Sequence, residues 1–96
     1  MSNEHLIAVT EFCTAHQIEI TFIESLAQYG LITIETVDEQ LSIQDVQLPS
    51  LEKMVRLHYD LDINLEGIET IFHLLRRIET LQHEMHELKK KAGLYE

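Results

Sequence analysis

The chain has one cysteine, one proline, three glycines and no tryptophan, and only seven lysines and arginines against seventeen acids. Each scarcity removes a class of protein. Cys13 alone cannot form an intramolecular disulfide. So few glycines, prolines and aromatics argue against collagen-like, low-complexity and all-β chains and suit a helical one. No apolar run approaches the ~20 residues of a membrane span. No basic segment followed by an apolar stretch marks a secretory signal, so a reducing, cytoplasmic location is the expectation. The shortage of bases leaves a net charge of −10. An autonomous duplex-DNA binder displaces counterions from phosphate with a cationic face, and this chain has the opposite sign.

Ninety-six residues with 45% apolar content make one small domain, or a domain with an appended helix. A core of that size is commonly supplemented by oligomerisation. The charge is uneven. Met1 to Thr70 holds thirteen acids and two bases (Lys53 and Arg56), a net −11, whereas Ile71 to Glu96 is +1. An acidic body on a neutral tail attracts basic partners and speeds their encounter. It equally serves solubility.

Local patterns divide the chain into residues 1–63 and residues 64–96. His5 to Val9 favours a strand. Thr10 is a candidate cap for a brief helix through Phe12, Cys13 and Ala15. A turn at His16-Gln17 leads to a second helical pattern, Ile20, Ile23, Leu26 and Ala27, which Gly30 ends. Leu31–Ile34 and Gln40–Ile43 are β-prone and flank the polar Glu35–Glu39, which suggests a small hairpin, or wing. Pro49 is tolerated only near the start of the next helix. That helix carries Leu51, Met54, Val55, Leu57 and His58 and runs out near Leu61-Asp62-Ile63.

Asn64 is a good cap for the last and longest helix. Three heptads follow, with Ile71, Ile78 and Met85 at a and Leu74, Leu81 and Leu88 at d. Leu65, Ile68, Phe72 and Leu75 widen the stripe at its beginning. A wide stripe docks on a globular body and a narrow one seeks another helix. The first half of the helix is therefore expected to pack on its own domain. The second half, with Ile71, Leu74, Ile78, Leu81, Met85 and Leu88 as the seam, is expected to form a homodimer.

Chemistry-bearing constellations are few. Cys13 has no cationic neighbour to favour a thiolate. His83-Glu84-Met85-His86-Glu87 places two histidines three apart, where the zincin helix needs four, and no third ligand is evident. His58 and His73 lie in apolar helical stretches and read as partly buried, hydrogen-bonded side chains. No glycine-rich phosphate loop is present. The expectation is a non-enzymatic protein without cofactor or metal.

The runs Val9-Thr10-Glu11-Phe12-Cys13, Tyr29-Gly30-Leu31-Ile32 and Val55 to Ile68, followed by the heptad helix, resemble the MerR-type winged helix-turn-helix. Within that pattern they are most similar to the chaperone-modulator (CbpM) family. The fold the resemblance implies is mainly α: a MerR-like winged helix-turn-helix with a small β wing and a long C-terminal dimerisation helix. The function it implies is an adaptor that binds the J-domain of a DnaJ-like co-chaperone of the curved-DNA-binding type and inhibits its work with a DnaK-type chaperone. J-domains carry a basic helix, which an acidic domain is suited to cover.

DNA-binding members of the MerR type carry an arginine in the second helix and a basic wing. Here Glu24 stands in the helix, and the wing Val37 to Ser42 has no base. A carboxylate facing phosphate is repelled, so direct DNA binding is not expected. The candidate partner face is Glu19, Glu24, Glu35, Asp38 and Glu39. A second acidic group, Asp60, Asp62 and Glu66, lies before the last helix. The alternative function is a MerR-type transcriptional regulator.

Overall fold

The computed structural model describes residues 5–93; Glu4 and Glu96, counted in the charge, lie outside the described residues. The element order is β1 (Leu6–Ala8), α1 (Val9–His16), α2 (Ile20–Gln28), β2 (Glu35–Val37), β3 (Gln40–Gln44), a 3₁₀ turn (Asp45–Gln47), α3 (Leu48–Tyr59) and α4 (Leu65–Lys91). The strands form one antiparallel sheet in the order β1-β3-β2. Ile7 faces Ile43 on one side of the central strand, and Thr36 faces Leu41 on the other.

Both helices of the helix-turn-helix end in the same way. Gln17 adopts φ 56°, Ile18 N–H donates to the Cys13 carbonyl and Gln17 N–H to that of Thr14. Gly30 adopts φ 76°, Leu31 N–H donates to the Leu26 carbonyl and Gly30 N–H to that of Ala27. This is the Schellman pattern, which satisfies the last carbonyls while an apolar residue beyond the helix turns back onto it. Ile18 and Leu31 fill that apolar role, and both pack on the core.

The expected Thr10 cap is not formed. Ala8 occupies the cap position without a side-chain bond, and exposed Thr10 lies in the first turn of α1. The reason is that β1 runs directly into α1, so no cap residue separates them. The hairpin is likewise shifted. Its first strand is Glu35–Val37, not Leu31–Ile34. A two-residue connection, Asp38-Glu39, joins Val37 to Gln40 with φ of 51° and 64°. Two positive φ values are the type I′ signature, which lets the strands abut the turn. Leu31 to Ile34 instead serves the end of α2 and the core, where Ile32 is buried.

The core is assembled from every helix and the central strand. Val9, Phe12 and Cys13 of α1 meet Phe22, Ile23 and Leu26 of α2, Ile43 of β3, Leu51, Met54 and Val55 of α3, and Ile68 and Phe72 of α4. Pro49 sits in the first turn of α3, where its missing N–H leaves no helical bond unmade. α3 ends at Tyr59, before the Leu61-Asp62-Ile63 stretch, and Asp62 makes the bend with φ 59°. The His58 imidazole closes that bend by donating from Nδ1 to the Ile63 carbonyl at 2.9 Å, and its ring stacks on Phe22.

The Asn64 cap forms as expected: its Oδ1 accepts from Gly67 N–H at 2.8 Å. α4 then runs 27 residues, about 40 Å at helical rise. Only its first turns belong to the core. After Phe72 no described residue of α4 is buried. His73 is exposed, contrary to the partly buried position expected of it. It follows Phe72 by one residue, and that 100° step carries it off the core face.

Candidate interaction surfaces

Two surfaces emerge, one acidic and one apolar. The acidic surface is built on α2 and the hairpin. Phe22, Ile23 and Leu26 turn α2 toward the core, so Glu24 projects from the opposite side and is exposed. Asp38 and Glu39 form the hairpin tip and are exposed. Glu35, half-buried, lies on β2, and its carboxylate accepts from the Gln44 side-chain amide at 2.7 Å. Glu19 is separate from the wing. It precedes α2 at the other end, its carboxylate accepts from the Thr21 hydroxyl at 3.4 Å, and its N–H donates to the Tyr59 hydroxyl. No lysine or arginine occurs before Lys53, so neither α2 nor the hairpin carries a base.

The hairpin is held to the body by Gln47. Its side-chain carbonyl accepts from Thr33 N–H at 2.8 Å and its amide donates to the Thr33 carbonyl at 3.0 Å. One side chain thus supplies both bonds of a strand partner to the segment leading into the wing. The periodicity of the sequence offers no sign of it.

Of the second acidic group, Asp60 and Asp62 are exposed, while Glu66 has a partner. The Tyr29 hydroxyl donates to its carboxylate at 2.7 Å, tying the end of α2 to the start of α4. That bond holds the Glu66 carboxyl below its ordinary range. It also pushes the Tyr29 phenol up.

The apolar surface runs along α4. Ile71 packs against the core. Leu74, Ile78, Leu81, Met85 and Leu88 are 48–65% exposed. These side chains form a stripe of large apolar groups at heptad spacing, about half in water. Leu75, expected to widen the docked stripe, is 38% exposed instead.

Cys13 is buried, and burial pushes its thiol up, which keeps it protonated and unreactive. His83 is exposed and His86 half-buried on α4. Among the described residues, no three His, Cys, Asp or Glu side chains are grouped to hold a metal ion. Among the same residues, no helix is long and apolar enough to cross a membrane.

Two helices joined by a tight turn, a β hairpin and a long protruding helix define a winged helix-turn-helix protein. The model of the MerR HTH family of regulatory proteins matches residues 7–90, and the chain belongs to that family. No curated protein and no solved structure matches the chain.

Proposed function

We propose that the protein is a non-enzymatic, cytoplasmic adaptor of the CbpM kind. It acts as a homodimer and binds the basic helix of a J-domain, inhibiting a DnaJ-like co-chaperone and so modulating a DnaK-type chaperone. The observation that carries this reading is the sign of charge on the helix-turn-helix and wing. Glu24, Asp38 and Glu39 are exposed there, with no base on either element. Phosphate is repelled by such a surface, while a basic helix is attracted.

The two tip carboxylates stand on the tight turn of the hairpin. Asp38 and Glu39 both hold positive φ, where glycine or asparagine is the unstrained choice. At φ 64° the glutamate carries left-handed strain. The dimer is supported by the α4 seam. Full burial of each Leu- or Met-sized side chain stabilises by roughly 1.5–3 kcal/mol. Ile71, Leu74, Ile78, Leu81, Met85 and Leu88 are the residues assigned to it.

Calorimetric titration with a purified J-domain tests the assignment. Glu24→Lys combined with Asp38→Lys is expected to weaken binding and to flatten or invert its salt dependence. Binding that is unchanged in this variant refutes the assigned face. The family match favours a second reading, a MerR-type transcriptional regulator. Salt-sensitive binding to a palindromic duplex, with no binding to a J-domain, would establish that reading in its place.

A further inference from the structure

The two bases of the otherwise acidic first seventy residues stand together. Lys53 and Arg56 are both on the exposed side of α3, three residues apart and therefore one above the other. Neither makes an ion pair with any described residue, although thirteen acids share that part of the chain. They border an open groove of about 380 Å³ between the end of α3 and the start of α4. Its apolar lining is Leu57, Leu61, Ile71, Phe72 and Leu75, and Asp60 is the acid at its edge. Leu61 is 62% exposed, and Leu75 is 38% exposed.

The groove is distinct from the dimer seam. The seam follows a and d of the heptad, whereas Phe72 and Leu75 occupy b and e. Only Ile71 is common to both. The α3 wall of the groove, Leu57 and Leu61, lies on a different helix from the seam. Groove and wing also differ in sign: apolar floor with unpaired cations in one, carboxylates without bases in the other.

We propose that this groove is a docking site for an amphipathic helix of a partner protein whose apolar face is bordered by carboxylates. Leucine-sized side chains one turn apart would enter between Leu57, Leu61, Phe72 and Leu75, as helices commonly dock in apolar grooves. Their flanking carboxylates would meet Lys53 and Arg56. Arg56 offers a planar fork for bidentate pairing. The adaptor would then hold two partners of opposite charge, a basic one at the wing and an acidic one at the groove.

Fluorescence anisotropy with a labelled synthetic helix of leucine and glutamate, leucines spaced three and four apart, tests this on the full chain. The expected result is saturable binding at physiological ionic strength that weakens as salt is added. Lys53→Glu with Arg56→Glu is expected to lower the affinity at least about tenfold, because it reverses both rim charges. Leu61→Asp, at an exposed position, is expected to do the same without altering the circular dichroism spectrum. Glu24→Lys with Asp38→Lys does not weaken it, which separates this site from the wing. Absence of saturable binding, or an affinity unchanged by the Lys53 and Arg56 substitutions, overturns the proposal. Binding seen only in a monomeric Ile78→Glu variant also overturns it and assigns the groove to a second copy of the chain.

Discussion

The Tyr29 hydroxyl donates to the Glu66 carboxylate at 2.7 Å, joining the residue that caps the end of α2 to the first turn of the long helix. The two residues are 37 apart in the chain, and the bond is the direct polar link between the acidic head and α4 at this point. Its strength depends on charge. Glu66 is held below the ordinary carboxylate range chiefly by the Tyr29 hydrogen bond, and Tyr29 is held above the ordinary phenol range by the same bond. A depressed carboxyl contributes stability that is present above its unfolded range and lost as the pH falls through the folded one. A raised phenol contributes stability that is present below its unfolded range and lost as the pH rises through the folded one. The contribution is therefore full at neutral pH and lost at either extreme. Thermal melts of the wild type and Tyr29→Phe should differ at neutral pH and converge in acid. Melting curves displaced equally at every pH would contradict this.

The wing tip should show opposed effects on stability and binding. Glu39 holds φ 64°, so Glu39→Gly relieves the left-handed strain and is expected to raise stability by about 1 kcal/mol. The same substitution removes a carboxylate from the proposed partner face and should weaken J-domain binding. Chemical denaturation and titration of one variant measure both. A stabilised variant with undiminished affinity would remove Glu39 from that face. Gln17, with φ 56° in the turn between the two helices, is the control: Gln17→Gly should stabilise comparably without changing affinity.

At the start of α4, Asn64 and Gly67 act together. Asn64→Ala loses the cap bond to Gly67 N–H and should cost about 1 kcal/mol. Gly67→Ala would normally favour a helix by about as much. Here an added Cβ would lie 2.7 Å from Ile63 Cγ2 and 3.1 Å from Asn64 Oδ1. Ile63 is β-branched and packs on the core, so it yields with difficulty. Gly67→Ala is expected to destabilise, and a rise in denaturation midpoint would show that the contact relaxes.

Two substitutions on α4, ten residues apart, should separate folding from association. Ile68 is fully buried, and Ile68→Ala is expected to cost about 2–5 kcal/mol. Ile78 is 48% exposed, and Ile78→Glu should leave the fold of the chain intact while abolishing self-association. Sedimentation velocity with circular dichroism reads both. A monomeric wild type, or a dimeric Ile78→Glu variant, would remove α4 as the dimer seam.

Much of the architecture was legible in the order of residues, because each signal was local. The helical spacing of Ile20, Ile23 and Leu26, the left-handed Gly30, the early Pro49 and the Asn64 cap all act within a turn or two of the chain. Heptad spacing likewise aligns Ile71 through Leu88 along one face of α4, where Ile71 packs on the core and the other five are exposed. The misplacements have local causes as well. Leu31–Ile34 looks like a strand because three of its four side chains are β-branched, but Ile32 is used for burial. The φ values of Asp38 and Glu39 then decide where the strands meet. Thr10 looks like a cap, yet β1 reaches Ala8 and leaves it no capping position.

Local sequence therefore determined the kinds of element, their succession and the sign of charge on each, because propensity, capping and charge belong to neighbouring residues. Tertiary structure alone decided which groups meet. It closed Tyr29 on Glu66, placed both amide atoms of Gln47 on Thr33, parted Glu19 from the wing, and opened a groove beneath Lys53 and Arg56. The two hydrogen-bonded pairs join residues 37 and 14 apart in the chain. Only the packing of α2, α3 and α4 around a shared core sets the distances between them.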